Sequence, residues 1–322
     1  MLAIVCPGQG SQTPGFLAPW MELPAFRERL ESLAEGAGLD LVAHGTTSDA
    51  ETIKDTAVAQ PLIVGAGLAS VVTLLPDGDL ADHVGVGAGH SVGEITAAAV
   101  AAALSETDAM AFVRERGTGM AAASAATPTG MSAVLGGDPA EVAQALERHG
   151  LTAANANGAG QVVAAGTLEQ LAALAAEPPA RARVIPLQVA GAFHTHHMAP
   201  AVDALAAQAR GFATARPAIP LVSNADGEVL QDGAEVLARL VSQVSNPVRW
   251  DLCMQRLLDL GVTGMIELPP SGTLVGLAKR GMPGVETLAL KTPDDLEAAQ
   301  RMVREHGRAA AAAASTSDDQ KA

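Results

Sequence analysis

The sequence is poor in aromatic residues, in cysteine and in basic charge. Aromatics make up 2% of its 322 residues. Much of the 48% hydrophobic content is alanine, which points to closely packed helices of small residues. Two cysteines, Cys6 and Cys253, match neither a disulfide framework nor a metal-ligand pattern, and read as reduced, buried thiols. Lys and Arg number 20 against 35 Asp and Glu, a net charge of −15. That balance argues against broad nucleic-acid binding, which favours a basic face, although a local patch for an acidic partner remains compatible with it. Residues 1–6 carry no basic n-region and are too short for a signal peptide. No stretch approaches the roughly 20 apolar residues of a membrane span. The expectation is a soluble, cytoplasmic protein with no nucleic-acid and no membrane partner.

With 17% charged residues the chain can bury a sizeable core. Its length suits about two domains, or one large domain with an insertion. Residues 2–6 read as a first strand that runs into the glycine-rich loop "PGQGSQTPG". Helical patterns follow at 23–35 and 60–75, a strand at 84–86, then Ala-rich helices at 94–103 and 106–123. Strands alternating with helices predict a mainly parallel, hydrolase-like α/β sheet. From 126 to 190 the order becomes βαββαβ: "MSAVLGG", a helix opened by Asp138, "LTAANANG", "QVVAAGT", the helix "LEQLAALAAEPP" and "ARVIPLQV". That order predicts a ferredoxin-like unit inserted into a catalytic core made of 1–125 and 191–307. Residues 308–322, "RAAAAAASTSDDQKA", read as a frayed helix end and disordered tail.

The stretch "AGHSVGE", residues 88–94, places Ser91 between glycines after an apolar strand. G-x-S-x-G is the pattern of a nucleophile elbow, and also of a plain tight turn with an N-capping serine. A serine hydroxyl needs a base within hydrogen-bond reach to become nucleophilic. Of eight histidines, His149 and His306 sit at helix ends beside glycines, where a cation suits the helix dipole. His90 adjoins Ser91, so it is expected to line or brace the turn. The cluster "FHTHH" supplies the natural base, with His196 and His197 expected at the surface or at a helix start. The backbone N–H of Val92 at a helix N-terminus can meet a developing oxyanion, and "PGQGSQ" can bring a second donor close. On these residues alone, hydrolysis and acyl transfer both remain open.

The set "PGQGSQ", "GHSVGE", "RG" in the following helix, "AFH" and "NPVRW" resembles the malonyl-CoA:acyl-carrier-protein transacylases, relatives of the acyltransferase domains of fatty-acid and polyketide synthases. The likeness runs from residue 7 to about 280 in the family's order. It implies that Ser91 is the malonylated nucleophile and His194 the general base. It implies that the backbone carbonyl of Gln243 orients the imidazole, in place of the usual aspartate. By the same resemblance the N–H groups of Gln9 and Val92 form the oxyanion hole, and Arg116 binds the malonyl carboxylate. A guanidinium suits that task through two parallel charge-assisted hydrogen bonds. Arg114 and Arg116 lie on different helix faces, so only one of them can face the cleft. Phe193 before the histidine goes with malonyl rather than methylmalonyl in this family, and His90 is counted with the substrate-binding residues. The family's glycine-proline-glycine turn here reads "LPPSGTL", with Pro269 and Ser271 in place of the glycines.

The implied reaction is ping-pong transfer from malonyl-CoA to the phosphopantetheine thiol of holo acyl carrier protein, with no metal or redox cofactor, by a monomer. Lys279, Arg280, Arg181 and Arg183 are the candidate cations for CoA and the acidic carrier. A serine hydrolase or thioesterase would need an acid between Ser91 and His194 that no motif marks, and would leave "PGQGSQ" and Arg116 without a purpose. A non-catalytic carrier-binding module would leave the Ser91–His194 pair without one. A trans-acting polyketide acyltransferase is the third alternative, within the same chemistry.

Overall fold

The computed structural model describes residues 1–75 and 80–308. Apart from Arg308, the expected tail at 308–322 lies outside the described residues. In chain order the strands are β1 Leu2–Cys6, β2 Val86–Gly89, β3 Thr129–Gly136, β4 Thr152–Gly158, β5 Gln161–Thr167, β6 Ala182–Pro186, β7 Leu221–Val222, β8 Val229–Leu230, β9 Val248–Arg249, β10 Gly264–Glu267 and β11 Glu286–Ala289. Six form one sheet in the order β11-β10-β1-β2-β7-β8, parallel throughout except for the β7–β8 hairpin. Every residue of β1 is buried. Ala3 and Val5 face one apolar cluster while Leu2, Ile4 and Cys6 face the other, the pattern of a parallel strand covered on both sides.

The segment 129–186 has the order β3, helix Pro139–Arg148, β4, β5, helix Leu168–Ala176, β6. Its strands pair antiparallel in the order β6-β3-β5-β4. β9, from the later part of the chain, adds to β4 in parallel and carries this sheet onto the core. Asp138 caps the first helix by accepting from the N–H groups of Ala140 and Glu141, and Thr167 with Gln170 closes a capping box on the second. A separate cluster of Val134, Val142, Ala145, Leu146, Leu171 and Leu174 fills the space beneath them.

Three expectations change. The strand at 84–86 is instead β2, Val86–Gly89, because glycine and alanine are what fit between β1 and β7 under the helix Gly93–Val100. The strand "ARVIPLQV" stops at Pro186. The helix Thr56–Leu74 is long and apolar enough to cross a membrane by length and composition, with a mean hydropathy of 1.8, contrary to the expectation. It is 72% buried over that window and packs against the helices Pro24–Ala37 and Glu106–Ala126, which accounts for an apolar character on all sides. Cys6 and Cys253 are free and buried, and burial pushes both thiols up.

The "LPPSGTL" turn after β10 is tied down from within. Buried Glu267 accepts the N–H groups of Gly272, Leu274 and Val275 at 2.8, 3.0 and 2.9 Å, which caps the helix Thr273–Gly281. A carboxylate on the free N–H groups of a helix start is favourable for the dipole as well.

The serine turn depends on two close approaches. A Cβ on Gly93 would lie 2.1 Å from the Cys6 carbonyl oxygen, and one on Gly89 would lie 2.1 Å from Gly93. No side chain fits either place, so both glycines of the pattern are steric requirements. Gly93→Ala is expected to lower stability by about 3 kcal/mol or more through overpacking, read as a lower urea midpoint. An unchanged midpoint would refute the close-approach account.

Candidate active site

β2 ends at Gly89, and the chain reaches the helix Gly93–Val100 through His90, Ser91 and Val92. Ser91 has φ +53°, the left-handed region that a residue with a Cβ seldom occupies. Its backbone is held from both ends. The Ser91 N–H donates to Asn224 Oδ1 at 2.8 Å, and Gln243 Nε2 donates to the Ser91 carbonyl at 3.0 Å. Asn224 is itself fully buried and donates through Nδ2 to the Gly89 carbonyl.

His194 comes from the loop after the inserted unit and also lies in the left-handed region, at φ +62°. Its Nε2 is 2.7 Å from Ser91 Oγ, and its Nδ1 is 2.9 Å from the Gln243 carbonyl oxygen. A carbonyl only accepts, so Nδ1 carries the hydrogen and Nε2 is free to take the serine proton. Burial, reinforced by the Arg116 charge, pushes the imidazole down to about 3, so it stands neutral at physiological pH.

Arg116, in the helix Glu106–Ala126, is 1% exposed, while Arg114 is exposed. Its Nη1 donates to Gln60 Oε1 at 2.7 Å, and its Nη2 donates to Gln243 Oε1 at 2.7 Å and Ser91 Oγ at 3.3 Å. All three bonds go to neutral oxygens, and among the described residues the buried Nε has no acceptor. Burial lowers the guanidinium to about 10, with the Glu94 charge opposing, so it stays a cation. A buried cation held by neutral oxygens keeps an unmet demand for an anion.

The pocket over Ser91 has an empty volume of about 500 Å3. Gln9, His90, Val92, Phe193 and His194 border it from the core, and Met131, Asn155 and Val163 from the inserted unit. The backbone N–H groups of Gln9 and Val92 donate to no acceptor among the described residues, which leaves both available to an oxyanion. His90 lines the pocket and also braces it. Its Nε2 donates to Asn157 Oδ1 at 3.0 Å, and its ring meets Trp250 edge-on. His196 and His197 form a short turn at the start of the helix Ala199–Ala209.

Sequence reasoning did not assign Gln60, Asn224 or Glu94. Glu94 closes the quoted "GHSVGE" motif, which was the available signal. Gln60 sits in an apolar helix and Asn224 in a polar turn, and neither stretch carries a local mark of its distant partners. Glu94 is buried, its Oε1 accepts the Asn224 N–H at 2.7 Å, and its Oε2 accepts from Gln243 Nε2. Burial raises its carboxyl to about 7, against these two hydrogen bonds and the charges of Arg116 and Arg239.

This arrangement activates a serine for attack on an acyl group and offers a buried cation to part of that group. Residues 3–317 match the family described as "Acyl transferase domain", and the chain belongs to it. A Malonyl CoA-acyl carrier protein transacylase of Mycobacterium tuberculosis is 51% identical over 297 residues, covering 92% of this chain and 98% of that protein. The protein of the same name from Bacillus subtilis is 32% identical over 312 residues, covering 94% and 98%. The crystal structure of MCAT from M. tuberculosis superposes with a TM-score of 0.90 at 50% identity, covering 93% of this chain and 99% of that one. A malonyl-transacylase in complex with a type II PKS acyl-carrier protein superposes at 0.86 with 29% identity, covering 93% and 99%.

At pH 6.0, nitrogen-resolved NMR is expected to show His194 as the neutral Nδ1–H tautomer; an imidazolium there would contradict the site as drawn. The stability linkage has the same sign. Between about pH 6.5 and 3 the unfolded chain binds a proton that the native site refuses, so this contribution to stability is lost as pH falls through that window.

Proposed function

We propose that the protein transfers the malonyl group of malonyl-CoA to the phosphopantetheine thiol of acyl carrier protein through a malonyl-serine. The observation that carries this reading is the contact of one serine oxygen with both a neutral imidazole and a buried guanidinium. The malonyl carboxylate meets Arg116 through guanidinium N–H groups that are not spent on Gln60 and Gln243, which keep their bonds and hold the cation in place. Ser91 Oγ attacks the thioester carbon as His194 Nε2 takes its proton, and the oxyanion forms against the Gln9 and Val92 amides. CoA leaves as its thiol, with the proton from His194. The carrier's thiol then gives its proton to His194 and attacks the ester carbon, and His194 passes that proton to Ser91 Oγ as the ester C–O bond breaks. Each step is carried by these side chains and amides, with no call on a metal or redox cofactor.

Phe193 borders the pocket and is 6% exposed, which supports a preference for an unbranched α-carbon. Lys279, Arg280, Arg181 and Arg183 are exposed. Arg280 Nη2 reaches Gln161 Oε1 at 3.4 Å, and Leu135, the strand partner of Gln161, also pairs with Arg183. These cations at one edge support docking of an acidic carrier there. The hydrolase reading has no support at the imidazole, because Nδ1 binds a backbone carbonyl rather than a carboxylate.

Incubation with malonyl-CoA is expected to give a malonyl adduct by intact mass, absent in Ser91→Ala. No adduct on the native protein would sink the transferase reading, and rapid release of malonate without carrier would favour hydrolysis. Arg116→Ala is expected to cut malonyl-CoA use by about 100-fold, the worth of a strong charge-assisted pair. Acetyl-CoA use should fall far less; equal losses for both thioesters would remove Arg116 from the carboxylate.

A further inference from the structure

The Gln243 side chain touches more of the site than its backbone carbonyl does. Its Nε2 donates to the Ser91 carbonyl and to Glu94 Oε2, and its Oε1 accepts from Arg116 Nη2. An amide has one donor end and one acceptor end, so these partners fix which end faces Arg116. Two acceptors claim the nitrogen, and the oxygen is left for the guanidinium. If the amide turned over, N–H would face N–H at Arg116, and the guanidinium would lose one of its two strong hydrogen bonds in a buried place.

Glu94 is what makes that polarity firm. Both of its oxygens accept, one from a backbone N–H that cannot turn away and one from the Gln243 amide that can. It is buried in the helix Gly93–Val100, outside the set of residues bordering the pocket over Ser91. Its backbone N–H donates to the Ser91 carbonyl at 3.0 Å, and its side chain reaches the site through Asn224 and Gln243.

We propose that Glu94 and the Gln243 side chain are positioning residues that aim Arg116, and thereby set the preference for an acyl group bearing a carboxylate. The inference rests on the reading of Arg116 as the carboxylate clamp. Gln243→Met keeps the backbone carbonyl that holds His194 and removes only the amide. Glu94→Gln puts an N–H against the Gln243 nitrogen, because its own oxygen has to face the fixed Asn224 N–H.

The test is the rate of Ser91 acylation by malonyl-CoA and by acetyl-CoA, followed by intact mass for each variant, with Arg116→Ala alongside. Gln243→Met is expected to lower the malonyl-to-acetyl ratio by about tenfold, as loss of one charge-assisted hydrogen bond implies. Glu94→Gln is expected to shift the ratio in the same direction, and the double variant to be no worse than the larger single effect. A general loosening of the fold would lower both rates together and leave the ratio in place, which overturns the proposal. So would effects of the two substitutions that multiply. If Glu94→Gln fails to fold, the Gln243→Met ratio decides alone. A ratio that falls in Arg116→Ala but holds in Gln243→Met removes this inference and spares the clamp. A ratio that Arg116→Ala leaves unchanged removes the clamp reading and the inference with it.

Discussion

The site depends on the contact of Gly93 with the Cys6 carbonyl at the end of β1. That contact lets the helix Gly93–Val100 start directly above the sheet, close against Gly89. With so little room, the chain has to turn through a left-handed residue, and Ser91 is that residue. Such a conformation costs on the order of 1–3 kcal/mol and persists only where the surroundings hold it. Asn224 and Gln243 hold the two peptide groups of Ser91, and Glu94 holds both of them. The strained turn and the polar frame behind it are therefore one construction.

Electrostatics divides the labour within the frame. A carboxylate on His194 would raise the basicity of the imidazole, whereas the Gln243 carbonyl fixes its tautomer and adds no charge. The nearby positive charge of Arg116 works the other way and disfavours the imidazolium. A bound carboxylate would offset that charge beside His194, so the base and the acyl group interact even without touching.

Much of this was legible in the sequence. The alternation of strands and helices showed the mainly parallel sheet, and the βαββαβ order of 129–186 was readable from turn glycines and the Asp138 cap. Ser91, His194 and Arg116 were marked by short motifs, and the structure brings them together. β2 was misplaced because its Val-Gly-Ala-Gly sequence has one branched residue where a strand is usually signalled by several; small size, set by tertiary contact, is what matters there. The helix Thr56–Leu74 went unremarked as a span candidate because its apolar character reflects burial on nearly all sides. Gln60 and Asn224 were invisible because a buried polar residue is defined by partners more than 50 positions away, Arg116 for one and Ser91 for the other.

β9 follows within a few residues of Gln243, and it joins the sheet of the inserted unit beside β4. The stretch that steadies the imidazole is thus also the stretch on which the insertion is hung. A push on the insertion is felt by this segment, as load on a hinge pin is felt by the bracket that carries it. Arg249, in β9, is anchored in turn by its backbone N–H to the Asn224 carbonyl at 2.7 Å. The smaller sheet is therefore tied to the serine turn twice, through Arg249 to Asn224 behind Ser91 and through Asn157 of β4 to His90 beside it.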